Sequence, residues 1–182
     1  MRIPSMLLLL SAVLAVPALA QVDLAKSSVT ATAKQLGVPI EGKFKKISAV
    51  INFNPAQLAQ SNAKVDIAVN SYDMGAPEYN HEVLGKDWFN AAQFPTASFV
   101  SGAITAAGPN KYNVAGKFTL KGKSADVVIP VTTKMDGAAQ VFDGALTIKR
   151  TQFNVGDGEW KDTSVVADDV VIRFHVVATP AK

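Results

Sequence analysis

The chain has 182 residues, with 18 lysines and arginines against 15 aspartates and glutamates, and it contains no cysteine. The absence of cysteine excludes disulfides, thiol catalysis, iron–sulfur clusters and cysteine zinc sites, so stability has to come from packing. The basic residues are scattered along the chain rather than clustered, and the sequence therefore gives no indication of nucleic-acid binding.

The first twenty residues have the pattern of a secretory signal peptide. Arg2 precedes an apolar stretch at residues 6–16, and an Ala-x-Ala cleavage site ends at Ala20. A membrane anchor is the alternative, but the stretch is shorter than the roughly 20 residues that cross a bilayer. We therefore predict a signal peptide at residues 1–20 and one exported domain at residues 21–182. Export without disulfides favours a periplasmic location.

The rest of the sequence has the pattern of successive strands, because apolar residues recur at every second position. In residues 46–53, for example, Ile47, Ala49, Ile51 and Phe53 share one face, and mostly polar residues alternate with them. The same alternation predicts eight strands, near residues 27–33, 46–53, 64–70, 96–103, 112–121, 125–131, 142–148 and 170–176.

Short turns between these strands predict an antiparallel meander. The turn Lys121-Gly122-Lys123 separates two alternating runs, as is typical of a β-hairpin. Helix is expected only in two connections, residues 54–60 and 78–90. Such a meander forms a two-sheet sandwich or closes into a barrel, and eight strands close around one small ligand. Periodicity does not choose between them, and we favour an all-β, eight-stranded antiparallel barrel.

The polar residues form no strong catalytic or metal-binding pattern. The histidines, His81 and His175, lack metal-ligand spacing, and His175 falls on the polar face of the last strand. His81 and its acidic neighbours form either a weak metal site or a solvated helix face. The carboxylates at residues 157–169 do not match a calcium loop. We assign no catalytic residue, no metal and no required cofactor, and we predict that the protein is not an enzyme.

Six phenylalanines fall on the apolar faces of separate strands. Their convergence in the interior either fills the core or lines a cavity, and the periodicity leaves both interpretations open. These residues are Phe44, Phe53, Phe99, Phe118, Phe142 and Phe174.

Four segments carry a family resemblance. They are Gly-Lys-Phe at residues 42–44, Trp-Phe-Asn-Ala-Ala-Gln-Phe-Pro-Thr-Ala-Ser-Phe at 88–99, Gly-Lys-Phe-Thr-Leu-Lys-Gly-Lys at 116–123, and the tail at 148–162. Together they resemble the YceI-like family, in order and over almost all of residues 21–182. The resemblance implies an exported bacterial protein with a lipocalin-like antiparallel barrel, whose long internal cavity holds a polyisoprenoid chain such as a quinone tail. It brings no catalytic residues.

One segment departs from the family pattern. Many members carry an Arg-Asp pair and then a histidine before the aromatic segment, whereas residues 78–84 here read Glu-Tyr-Asn-His-Glu-Val-Leu. We therefore assign no head-group contact to residues 78–84.

The resemblance and the strand pattern together predict a periplasmic protein that binds, stores or transports a long-chain polyisoprenoid lipid. The expected partners are an isoprenoid lipid or quinone, bound as ligand, and transiently a membrane surface, but no nucleic acid; the oligomeric state is left open. Ten apolar residues are predicted to contact the ligand: Phe44, Ile47, Ile51, Val65, Ile67, Phe99, Phe118, Leu146, Ile172 and Phe174.

Two other functions remain alternatives at this stage. The first is an enzyme that acts on an amphipathic substrate at the barrel mouth, with His81, Glu82 or Asp157 as the base. The second is a protein-interaction module of the cell envelope, in which the barrel is a scaffold and residues 78–90 contact the partner.

Overall fold

The computed structural model describes residues 20–179, which form eleven strands and one α-helix. The predicted signal peptide lies outside these residues except for Ala20. The elements are β1 (Gln21–Val22), β2 (Ser28–Gln35), β3 (Val38–Phe44), β4 (Ile47–Asn52), β5 (Asn62–Ala68), β6 (Tyr72–Asp73), α1 (Pro77–Leu84), β7 (Thr96–Gly108), β8 (Lys111–Leu120), β9 (Lys123–Asp136), β10 (Ala139–Lys149) and β11 (Asp169–Thr179).

All strands belong to one antiparallel sheet, whose neighbours run in the order β4-β5-β7-β8-β9-β10-β11-β2-β3-β6. The last strand, β11, pairs with both β10 and the early strand β2. At one end β1 pairs with β11, and Ala20 forms a bridge to Ile51 of β4, so that the two sides of the sheet approach each other. The predicted antiparallel, barrel-like fold is confirmed.

The strand count differs from the eight predicted, chiefly because β3 was not foreseen. Pro39 and Gly42 interrupt its apolar pattern, yet it pairs with β2 from Gln35↔Val38 to Val29↔Phe44. The tight turn between the two strands consists of Leu36 and Gly37, both with positive φ, which is the backbone of a type I′ hairpin. β1 and β6, of two residues each, are too short to show alternation.

The two predicted helices are shorter than expected. Residues 54–60 contain only a 3₁₀ turn at Leu58–Gln60. The helix expected at 78–90 is α1, which ends at Leu84 before Gly85, and residues 85–95 continue as tight turns. Among residues 20–179 no helix is long and apolar enough to span a membrane.

The predicted hairpin at Lys121-Gly122 is confirmed, with Leu120 of β8 opposite Lys123 of β9. Nearby, the Lys121 ammonium donates to the backbone oxygens of Lys86 at 2.9 Å and Asn154 at 2.6 Å. This hairpin therefore holds two long connections, residues 85–95 and 150–168, over one end of the barrel.

Candidate functional site

The barrel interior contains a first cavity of about 130 Å³, which we call the strand cavity. Its walls come almost wholly from strands, where alternation turns every second side chain inward. Val114 and Ile129 lie on one side of it, and Leu146 and Val176 on another. The polar groups in its lining are the side chains of Asn62 and Thr133 and the hydroxyl of Tyr112. The cavity is thus suited to hydrocarbon.

A second cavity of about 200 Å³, the loop cavity, lies at the capped end of the barrel. Strand residues such as Ala31 and Ile148 form part of its wall, and the rest comes from connections that include Val83, Trp88 and Val166. Part of its wall is therefore built from residues 85–95 and 150–168, the two connections that the Lys121 ammonium holds together. This wall contains more polar groups than that of the strand cavity.

The two cavities adjoin at three side chains, Ile67, Phe118 and Ile172, each of which lines both. Along β10 the wall runs from Phe142 in the strand cavity to Ile148 in the loop cavity. Six residues of strand span about 20 Å at roughly 3.3 Å each. The two apolar cavities therefore lie end to end over about 20 Å of the barrel, and Phe118 is part of the boundary between them.

Two aromatic rings of the strand cavity lie directly over glycines. A Cβ on Gly144 would collide with the ring of Phe174, which is the residue opposite it on β11. A Cβ on Gly116 would similarly meet the ring of Phe99 at 2.6 Å. Because each ring occupies the space of a missing side chain, the phenylalanines cover the wall instead of filling the lumen.

Nine of the ten residues predicted to contact ligand line these cavities. Ile47 lines neither; it packs against the cluster of Val29, Ala31 and Phe44. Whether any of the ten contacts a ligand stays a prediction. The strand cavity is lined by Ile51, Val65, Ile67, Phe99, Phe118, Leu146, Ile172 and Phe174, and the loop cavity by Phe44 together with Ile67, Phe118 and Ile172.

The sequence pattern did not identify Arg150 as a buried residue at the loop cavity. Only 1% of its surface is exposed, and burial lowers the pKa of its guanidinium, while Asp168 opposes that shift. All three guanidinium nitrogens donate to backbone oxygens at 2.7–3.3 Å. The acceptors are Val155, Gly156, Trp160, Val166 and Ala167. Arg150 therefore organises residues 155–167 and has no donor left for an anion.

Two further aromatic residues of the loop cavity were also missed as site residues. The Tyr72 hydroxyl donates to the backbone oxygen of Ala31 at 3.1 Å, and burial raises the pKa of Tyr72 to about 12. Trp88 packs against Trp160, with ring centroids 5.5 Å apart. Trp88 belongs to the 88–99 segment that carried the family resemblance, but strand alternation could not detect it because it lies in a turn.

The loop cavity reaches the surface at a rim of exposed residues. Lys34 of β2 and Tyr79 and Glu82 of α1 line it and are exposed, Tyr79 to 63%. Just beyond the rim, Leu36 in the β2–β3 turn is 73% exposed. The opening therefore has a mixed polar and apolar edge, whereas the deeper wall is largely apolar.

Most of the candidate catalytic residues lie away from the cavities. His175 faces outward, with Nδ1 2.6 Å from an oxygen of Asp143, and His81 and Asp157 are exposed. Asp168 accepts from the amide and hydroxyl of Thr151, at 3.0 and 2.8 Å, and so supports the loop. Within residues 20–179 no three acidic or histidine side chains lie close enough together to hold a metal ion.

Comparison with protein families gives a match to the YceI-like domain over residues 21–178. A UPF0312 protein of Vibrio cholerae is 29% identical over 90 residues. That alignment covers 50% of this chain and 48% of the relative, so the chain matches about half the length of this curated protein.

Two solved structures share the fold. The crystal structure of Burkholderia cenocepacia BcnA is 59% identical, with a TM-score of 0.86 over 87% of this chain and 100% of BcnA. A polyisoprenoid binding domain from Saccharophagus degradans is 15% identical, with a TM-score of 0.70 over 90% of this chain and 99% of that domain. At that identity the second likeness concerns the fold alone.

Proposed function

This chain belongs to the YceI-like family, and on that premise we propose that its two cavities hold a long-chain isoprenoid lipid, which the protein stores or carries in the periplasm. The observation that carries the proposal is the end-to-end arrangement of two adjoining apolar cavities over about 20 Å of the barrel. An arrangement of that length fits an extended chain better than a compact ligand.

The physical basis of binding is the transfer of hydrocarbon from water to an apolar wall. Burial contributes about 0.8 kcal/mol per CH₂ group, so a prenyl tail can bind tightly with few polar contacts. Ordering the flexible tail and filling the cavities imperfectly offset part of this gain. Affinity is therefore expected to rise with tail length until the tail fills both cavities, and then to level off.

Two further points support the same class of ligand. The Saccharophagus degradans structure with this fold is described as a polyisoprenoid binding domain. The sequence of residues 1–20 predicts export, and a quinone is an isoprenoid lipid that an exported carrier can meet at a membrane surface. We propose a binding function without a catalytic step.

The experiment that tests this function begins with protein purified from its native host. Mass spectrometry of an organic extract is expected to find a prenyl lipid in amounts comparable to the protein. Lipid-free protein is then titrated with prenylated benzoquinones of increasing tail length, and we expect the affinity to increase and then level off. A folded protein that yields no lipid and binds none of the quinones contradicts the proposal.

A further inference from the structure

The indole N–H of Trp88 has no protein acceptor. Among residues 20–179, its Nε1 is the one buried side-chain nitrogen or oxygen that lacks a hydrogen-bond partner in the protein. A buried donor without an acceptor costs free energy comparable to a lost hydrogen bond, and folded proteins usually avoid it. An exception beside a ligand cavity therefore points to an acceptor that the ligand supplies.

The position of the ring directs this donor away from the loop. Trp88 lines the loop cavity, and its Cζ3 edge lies against Gly156, 3.2 Å from the place that a Cβ on this glycine would take. In an indole, Nε1 is on the opposite edge from Cζ3. Gly156 lies behind one edge and Trp160 beside the ring, so the edge that carries the N–H is directed away from Gly156.

The other buried polar groups of the loop cavity define what kind of head group fits. Arg150 uses its guanidinium on backbone oxygens, and the Tyr72 hydroxyl is bonded to Ala31. Lys34, the other cation in the lining of this cavity, is exposed at the rim. The deep part of the cavity therefore offers a neutral donor, while the guanidinium of Arg150 has no N–H left to bind an anion, which favours a neutral oxygen over a phosphate.

We propose that Trp88 donates its indole N–H to a neutral acceptor oxygen of the lipid head group, of the kind that a quinone carbonyl provides. This assignment rests on the proposed function. The head group then lies in the loop cavity near the rim, and the tail passes Phe118 into the strand cavity. Tail length sets affinity, while Trp88 distinguishes an oxygenated head from bare hydrocarbon.

The first test observes the donor directly. The chain has two tryptophans, so protein labelled with ¹⁵N-tryptophan gives two indole N–H signals, and Trp88→Phe identifies the one from Trp88. The wild type is titrated with a prenylated benzoquinone and with the hydrocarbon of the same tail. We expect the Trp88 proton to move downfield with the quinone and not with the hydrocarbon.

The second test measures selectivity. Trp88→Phe is expected to weaken quinone binding roughly three- to tenfold relative to hydrocarbon binding, which is the size of one hydrogen bond. Trp160→Phe removes the neighbouring indole as a matched control and is expected to change both affinities by the same factor. If Trp88→Phe fails to fold, Trp160→Phe identifies the two indole signals by elimination, and the wild-type titration decides.

The outcomes separate this inference from the proposed function. Equal movement of the Trp88 signal with both ligands, or an unchanged selectivity in Trp88→Phe, overturns the hydrogen bond although lipid binding stands. A larger downfield shift with a prenyl phosphate of the same tail overturns the neutral head group. Failure of both the quinone and the hydrocarbon to bind contradicts the proposed function itself.

Discussion

The strand cavity and the loop cavity lie in one barrel but are built in different ways. The strand cavity takes its walls from alternating strands, and its shape depends on glycines that let aromatic rings lie against the wall. The loop cavity takes much of its wall from connections, and its shape depends on a buried cation and on turns. The two regions therefore differ in what they provide: the regular sheet provides volume for hydrocarbon, and the connections provide polar recognition and the opening.

If the two regions have these separate roles, substitutions in them have separable effects. Substitutions in the connections alter the loop cavity, its rim and the selectivity for a head group. Damage to the strand wall alters the capacity for a tail and leaves the polar groups in place.

The largest effect is expected from Arg150→Leu. The guanidinium holds five backbone oxygens of residues 155–167, and its removal leaves several of them buried without a donor. We expect the free energy of unfolding to fall by about 3–5 kcal/mol, as when one partner of a buried charged network is lost. Chemical denaturation measures the loss.

The matched control for Arg150→Leu is Lys149→Ala, at the preceding position. Lys149 is exposed and pairs only at the surface with Asp169, so its loss is expected to leave the denaturation midpoint almost unchanged. Similar midpoints for Arg150→Leu and Lys149→Ala would show that the loop cavity does not depend on the buried cation.

Gly144→Ala tests the wall of the strand cavity. The new Cβ would meet Cε1 of Phe174 at 2.8 Å and the backbone oxygen of Pro130 at 2.9 Å, so it is confined on two sides. Overpacking of this kind costs about 1–3 kcal/mol, and relief requires the Phe174 ring to move into the lumen. We expect lower stability together with a shorter optimal tail length in lipid titrations.

Gly102→Ala provides the comparison for Gly144→Ala. Gly102 is exposed on β7, and its added Cβ would be in ordinary van der Waals contact, 3.9 Å from the Ala115 oxygen. Its stability and preferred tail length are expected to match the wild type. The same tail-length profile in Gly144→Ala and Gly102→Ala would contradict the idea that glycines keep the lumen open.

A smaller and more specific effect is expected from Val131→Thr, which replaces a methyl group with a hydroxyl of similar size in the strand cavity. An unpaired hydroxyl in an apolar site is expected to lower lipid affinity about tenfold. Val128→Thr makes the same change on the same strand, β9, at a residue that is 58% exposed and faces outward. Isothermal titration that finds equal losses in the two variants would argue against an internal ligand.

The sequence predicted the strand cavity better than the loop cavity, for a physical reason. Alternation follows directly from strand geometry, so residues such as Leu146 and Ile172 could be placed on the inner face without a structure. β3 was missed because Pro39 and Gly42 interrupt the pattern, although its pairing with β2 tolerates both. The resemblance to a family, rather than periodicity, favoured a cavity over a filled core.

The loop cavity could not be predicted in the same way. The burial of Arg150 depends on oxygens of residues 155–167 that converge only after the loop has folded around it. The unpaired donor of Trp88 depends on which edge of its ring faces Gly156. Such contacts do not recur at a regular spacing in the sequence, so hydrophobic periodicity cannot predict them. The motif at residues 88–99 indicates which loop residues matter but not which contacts they make.

The smallest predicted effect concerns acid at Asp73, which lies between two residues that line the loop cavity, Tyr72 and Met74. Asp73 of β6 accepts from Lys45, from the Asn80 side-chain amide of α1 at 2.8 Å and from the Gly75 amide at 3.0 Å. The hydrogen bond from Lys45, followed by those from Asn80 and Gly75, holds the pKa of Asp73 well below its ordinary value of 3.8. The stabilisation is therefore present above pH 3.8 and is lost as the pH falls below it.

Protonation of Asp73 is expected to release α1 before it disturbs the strand wall. Hydrogen exchange, corrected for its intrinsic pH dependence, should show falling protection in residues 73–84 below pH 3.8, with β9 and β10 unchanged. Asp73→Asn keeps the shape of the side chain but cannot titrate, and its protection in residues 73–84 should not change over that range. Since the strand cavity has no carboxylate in its lining, equal acid sensitivity in both regions would mean that the two cavities open as one unit rather than separately.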